Sequence, residues 1–88
     1  MFYLLVKHKV ADFAKWHAIF ASHEEAQHQA GLHLLHLLRD TSDPKLVVML
    51  FRTEDPAQAG GFTSAPEAGE AAHDSGVIGI PEILFLRD

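Results

Sequence analysis

Four segments of this chain read as strands, and each carries apolar side chains on both of its faces. Phe2 to Val10 is rich in aromatic and β-branched residues and reads as a strand, and Leu32 to Arg39 and Leu46 to Thr53 read as two further strands. Ile80 to Arg87 is entered through Gly79 and Pro81. With side chains alternating along a strand, the first sets Phe2, Leu4, Val6 and Val10 against Tyr3 and Leu5. The second sets Leu32, Leu34 and Leu38 against Leu35 and Leu37. The third opposes Leu46, Val48 and Leu50 to Val47, Met49 and Phe51, and the fourth opposes Leu84 and Leu86 to Ile83 and Phe85. A sheet with one wet face alternates apolar and polar residues. These strands do not, so both sheet faces need cover.

Two helical segments lie between the strands. Asp12 can cap a helix running to Ala30, with Gly31 as its stop. At 100° per residue, Phe13, Trp16, Ile19, Phe20, His23, Gln27 and Ala30 share a stripe of about 120°, the buried face of an amphipathic helix. His17, Glu24 and His28 fall off it. Asp40-Thr-Ser-Asp-Pro-Lys45 has the chemistry of a tight connection, and Asp55-Pro56 that of a second helix start. Gly60 and Gly61 weaken this helix, and Pro66 re-starts it as a short segment ending near Gly76. The order β-α-β-β-α-β predicts one α+β domain over residues 1–88. It is ferredoxin-like, a four-stranded antiparallel sheet with helices on one face. Two helices cover one face only. Leaving several hundred Å² of the other bare would cost on the order of 10 kcal/mol, so a homodimer through the sheet face, closing into an α/β barrel, is expected.

Composition narrows the partners. Twelve acids against seven Lys and Arg give a net charge of −5, which speaks against nucleic acid and anionic membrane. The apolar run at the start precedes the charges, the reverse of a secretory signal. The purest apolar run, Leu46 to Phe51, is strand-sized rather than membrane-spanning. No Cys is present, which removes thiolate metal sites and thiol nucleophiles and fits a reducing compartment; a soluble cytoplasmic protein is expected.

Val6-Lys7-His8-Lys9-Val10-Ala11-Asp12-Phe13, then Trp16, Phe20 and His23, and further on Phe62, Pro66-Glu67 and Gly76-Val-Ile-Gly-Ile-Pro-Glu82 form a recognisable set. With them the sequence resembles the dimeric α/β-barrel superfamily over nearly its whole length. That group includes the antibiotic biosynthesis monooxygenases and muconolactone isomerase, and within it the likeness is to a family of short bacterial proteins. The resemblance implies cofactor-independent oxygenation, isomerisation or cyclisation. The chain departs from the pattern at Ala65, where Ser usually precedes the Pro, and at Gly60, Gly61 and Gly69, where helix formers are usual; a loosened second helix follows. The Asn and Trp positions of heme-degrading relatives have no counterpart here.

His23 sits mid-stripe with Gln27 one turn on and Trp16 two turns back, and is the candidate acid/base for an enolisable or phenolic substrate. Trp16 and Phe20 supply pocket walls, Gln27 an amide, and His8, between Lys7 and Lys9, an orienting or anion-binding group whose neutral form the two ammonium groups favour. His33 and His36, three apart on a strand, are expected on opposite faces, with His36 on a leucine face that faces the second subunit. His73 lies beside Asp74 on a short helix. No histidine spacing forces a metal site, and no phosphate loop, nucleophile elbow or dinucleotide fingerprint is present, so neither metal nor cofactor is expected. The expected function is a small enzyme acting on an apolar or aromatic molecule. The alternative is a non-catalytic binding or interaction module whose homodimer is the functional unit.

Overall fold

Local chemistry sets most element boundaries in the computed structural model of the chain, which describes residues 1–64 and 76–88. The elements are β1 (Phe2–Val10), α1 (Phe13–Ser22), α2 (Glu24–Gln29), β2 (Leu32–Arg39), β3 (Leu46–Thr53), α3 (Pro56–Ser64) and β4 (Val77–Arg87). The Asp12 carboxylate accepts from the Lys15 N–H and caps α1. Asp55 accepts from the N–H groups of Ala57 and Gln58 at 3.1 and 3.2 Å, with Pro56 in the first helical position of α3. Gly31 takes φ +79° after α2, the left-handed turn that a glycine accepts without strain. Between β2 and β3, Asp40 accepts from the N–H groups of Ser42 and Asp43, and Asp43 pairs with Lys9 at 3.0 Å.

The strands form one antiparallel sheet in the order β2-β3-β1-β4, the ferredoxin-like arrangement. Alternate residues of the central strands point under the helices and are buried: Leu4, Val6, His8 and Val10 of β1, and Val47, Met49, Phe51 and Thr53 of β3. Trp16, Leu32 and Ala59 complete this core. The opposite face carries Leu5, Leu46, Val48, Leu50 and Leu84 with no element over it among the described residues.

Three expectations need correction. The first helix is not continuous: His23, at φ −100° and ψ 7°, separates α1 from α2. Ser22 lies at the break, and its hydroxyl donates to the Ile19 carbonyl at 2.6 Å, a competitor to helical pairing that bends helices. Second, β4 begins at Val77 rather than Ile80. Its residues 79–81 bulge out opposite His8, with Gly79 at φ +74°. Third, β2 also carries a bulge. Leu34 pairs with Phe51 and His36 with Leu50, which leaves Leu35 as an extra residue. Beyond it the faces exchange, so Leu37 joins Leu32 and Leu34 under the helices while Leu38 turns to the open face. The re-started helical segment from Pro66, with Ala65, Gly69, His73 and Asp74, lies outside the described residues.

Candidate functional site

The aromatic residues of α1 stack in a row. Trp16 is 3% exposed and lies flat on Phe20, ring centroids 5.0 Å apart at 21°. His8 meets the Trp16 indole edge-on at 5.3 Å, Phe13 meets it at 5.8 Å, and Phe20 extends the row to Phe51 at 6.4 Å. Offset and edge-to-face pairs of this kind each contribute about 0.5–1.5 kcal/mol beyond their area burial. The i, i+4 spacing of Trp16 and Phe20 in a capped helix makes the row. Its outer end, Phe20, is half-buried.

Phe20 opens onto a cleft of about 520 Å³ between α1–α2 and β2. Phe20, Ala21, Leu34 and Leu37 form its apolar walls, and His17, Glu24, Gln27 and His28 its polar edge. A cleft of this size accommodates a small organic molecule. The polar edge follows from helical spacing: at 100° per residue His17, Glu24 and His28 share one side of the helical segment with Phe20, Ala21 and Gln27, and that side faces β2. The β2 bulge supplies Leu37 as the opposite wall. The His28 ring also meets the His33 ring at 5.3 Å.

Of the residues singled out in the sequence, the structure brings Phe20 and Gln27 together in the cleft. Trp16 and His8 stand behind Phe20 rather than in the opening. His23 is exposed at the helix junction, where its backbone N–H bonds the Phe20 carbonyl, and its expected place on the buried stripe does not hold. Sequence reading passed over His17, Glu24, His28, Leu34 and Leu37. The signal for the first three was their own spacing, which at 100° per residue puts them beside Phe20 and Gln27 on one side of the helical segment.

His8 is 9% exposed, and its Nε2 is buried with no hydrogen-bond partner among the described residues. Burial pushes its imidazole pKa down from the ordinary value and holds it neutral. The cause is desolvation rather than the flanking ammonium groups: Lys7 and Lys9 are exposed and point to the other sheet face. Among the described residues, no three His, Asp or Glu side chains gather to hold a metal ion. No helix among them is long and apolar enough to cross a membrane.

No protein-family model matches the sequence, and no curated protein matches it. Solved structures do. A proposed antibiotic biosynthesis monooxygenase from Bordetella bronchiseptica aligns over 99% of this chain and 95% of its own, with TM-score 0.80 and 15% identity. Another from Deinococcus radiodurans aligns over 100% and 92%, with TM-score 0.71 and 14% identity. A NIPSNAP domain protein from Burkholderia xenovorans aligns over 100% and 94%, with TM-score 0.69 and 14% identity. At these identities the likeness is one of fold. The chain has the architecture of antibiotic biosynthesis monooxygenase-like structures along its whole length, as its residues implied.

Proposed function

We propose that this protein is a small enzyme that takes an apolar or aromatic, enolisable or phenolic molecule into the cleft between α1–α2 and β2. The cleft itself carries this reading: apolar walls from Phe20, Leu34 and Leu37 face an amide, a carboxylate and two imidazoles across a space sized for such a ligand. Oxygenation without a cofactor, isomerisation and cyclisation share one step, removal of a proton from the substrate. An imidazole is suited to it near neutral pH. His17 and His28 are the imidazoles on the cleft; His23, at the helix junction, is the third candidate base. Gln27 is placed to bond a substrate oxygen. With no cysteine to oxidise and no metal or cofactor needed, the cytoplasm is the compartment proposed.

The working unit in this proposal is a homodimer closed over the open sheet face. Leu38, Leu84 and Leu86 there are 57, 43 and 42% exposed. Four strands about 4.8 Å apart and about eight residues long present roughly 500 Å² in projection. Side-chain relief brings this near the ~800 Å² per partner of a stable interface. A second copy offers the same apolar surface and closes by two-fold symmetry.

The chain has one tryptophan, Trp16, and it stacks on the cleft residue Phe20, so its fluorescence reports ligand binding. Titration with quinols and enol lactones is expected to give a saturable change that Leu37→Arg abolishes. Turnover should fall at least about tenfold in His17→Gln or His28→Gln and stay level in His23→Ala. The reverse pattern would return the base to His23. Saturable binding without turnover would leave the non-catalytic binding module, and absence of binding to any member of the panel would overturn the cleft as the site.

A further inference from the structure

The two imidazoles on the cleft have different surroundings. His17 stands on α1 among apolar residues: at helical spacing its neighbours are Phe13, Ala14, Phe20 and Ala21. Its ring lies flat on that of Phe13, centroids 5.6 Å apart at 25°. His28 stands on α2 with Glu24 four residues before it and Glu25 three before it. Both glutamates line a surface hollow together with His28, and Glu24 lines the cleft with it as well.

His28 also has a second ring against it. The bulge at Leu35 sets His33 opposite Arg52 and His36 opposite Leu50, so the two share one side in the register and their expected separation onto opposite faces does not hold. β2 is an outer strand of the sheet, and the half-buried His33 side chain reaches round its edge to the helices. There its ring meets the His28 ring at 5.3 Å and 73°, edge to face. An exposed side chain with no such neighbour spreads over three staggered χ1 wells, and a ring packed against it favours one of them.

We propose that His28 is the base of the cleft and that His33 is its positioning residue. The inference rests on the cleft reading above and chooses between its two imidazoles. In the proton-transfer step the O–H bond of a phenolic substrate breaks, its electron pair stays on the oxygen, and the proton passes to a ring nitrogen of His28. The products are a phenolate, which the Gln27 amide is placed to bond, and an imidazolium one helical turn from the Glu24 carboxylate. Opposite charges three or four residues apart on a helix attract, so the neighbours of His28 favour the charge that the step creates. His17 has no carboxylate at either spacing, and Glu24 is two turns away from it. Its part is to bind the substrate.

Titration with 4-nitrophenol tests this, because its phenolate absorbs visible light and its phenol form does not, while quenching of Trp16 reports how much probe is bound. At a pH where the free probe is mostly protonated, the wild type is expected to bind it saturably and to turn bound probe into phenolate. Per bound probe, phenolate should fall at least about tenfold in His28→Gln. It should fall roughly threefold in His33→Ala, where three wells stand equally open, and less than about twofold in His33→Phe, which keeps a ring in place. His17→Gln should weaken binding and leave the bound probe ionised. Loss of phenolate in His17→Gln but not in His28→Gln would overturn the choice of base, and equal behaviour of His33→Ala and His33→Phe would overturn the positioning role. Saturable quenching without phenolate in the wild type would overturn the inference and leave the cleft as a binding site. Absence of saturable quenching would overturn the cleft and its base together.

Discussion

Replacing His8 with leucine should stabilise this protein and flatten its response to acid. The imidazole sits among Val6, Val10 and Trp16, with Nε2 shielded from water and unpartnered among the described residues. A buried polar atom left without a hydrogen bond costs about 1–3 kcal/mol, and a leucine in the same space has no such atom. A gain of about 1–2 kcal/mol at pH 8 is therefore expected for His8→Leu. For a domain of this size each kcal/mol moves Tm by roughly 4–8 °C. The pH dependence follows from the lowered pKa. Above 6.5 both folded and unfolded chains hold this residue neutral. Below it the unfolded chain gains a proton that the buried ring refuses until the pH reaches its depressed value, so stability falls with falling pH in that window. The slope from this one group is at most about 1.4 kcal/mol per pH unit. Urea unfolding at fixed protein concentration, followed by Trp16 fluorescence from pH 8 to pH 5, separates the cases. The wild type should lose stability faster than His8→Leu below pH 6.5, and parallel loss in the two proteins would refute the argument.

Three further substitutions probe other parts of the fold. Phe20→Ala uncovers one face of the Trp16 ring and should cost about 2–3 kcal/mol, somewhat under the loss at a fully buried phenylalanine; a red-shifted Trp16 emission and loss of ligand response would accompany it. Gly31→Ala forces a side chain into φ +79°, with its Cβ 3.2 Å from the Gln58 amide oxygen, and should cost about 1–2 kcal/mol by chemical denaturation. Asp55→Ala removes the acceptor for two N–H groups at the start of α3 and should cost about 1 kcal/mol, measured in the same way.

The frame of the fold was legible because it depends on local signals that act alone. Asp12, Gly31 and Asp55-Pro56 punctuate the chain through their own backbone chemistry, and the bounds of β1, β2 and β3 fall where the apolar runs begin and end. The cleft was less legible. The apolar stripe from Phe13 to Ala30 marks what the helices bury, whereas His17, Glu24 and His28 stand beside it, on the side that faces the edge strand β2. Alternation by two assumes an unbroken ladder, and Leu35 breaks it, so Leu37 emerges on the face that pattern alone assigns to Leu38. The residues found correctly, Phe20 and Gln27, lie on the inner side whether or not the helix bends.

The extra residue at Leu35 gives β2 slack in its length. Deleting it would restore an even ladder and leave His36, Leu37, Leu38 and Arg39 on the faces they occupy now. Leu37 would keep its place on the ligand wall, and Arg39 its place over the Phe13 ring, which it covers at 4.2 Å. Losing a second residue from the same stretch would turn every later side chain of the strand over. Among natural variants, selection should therefore tolerate a gap of one codon between Leu34 and His36 and purge a gap of two.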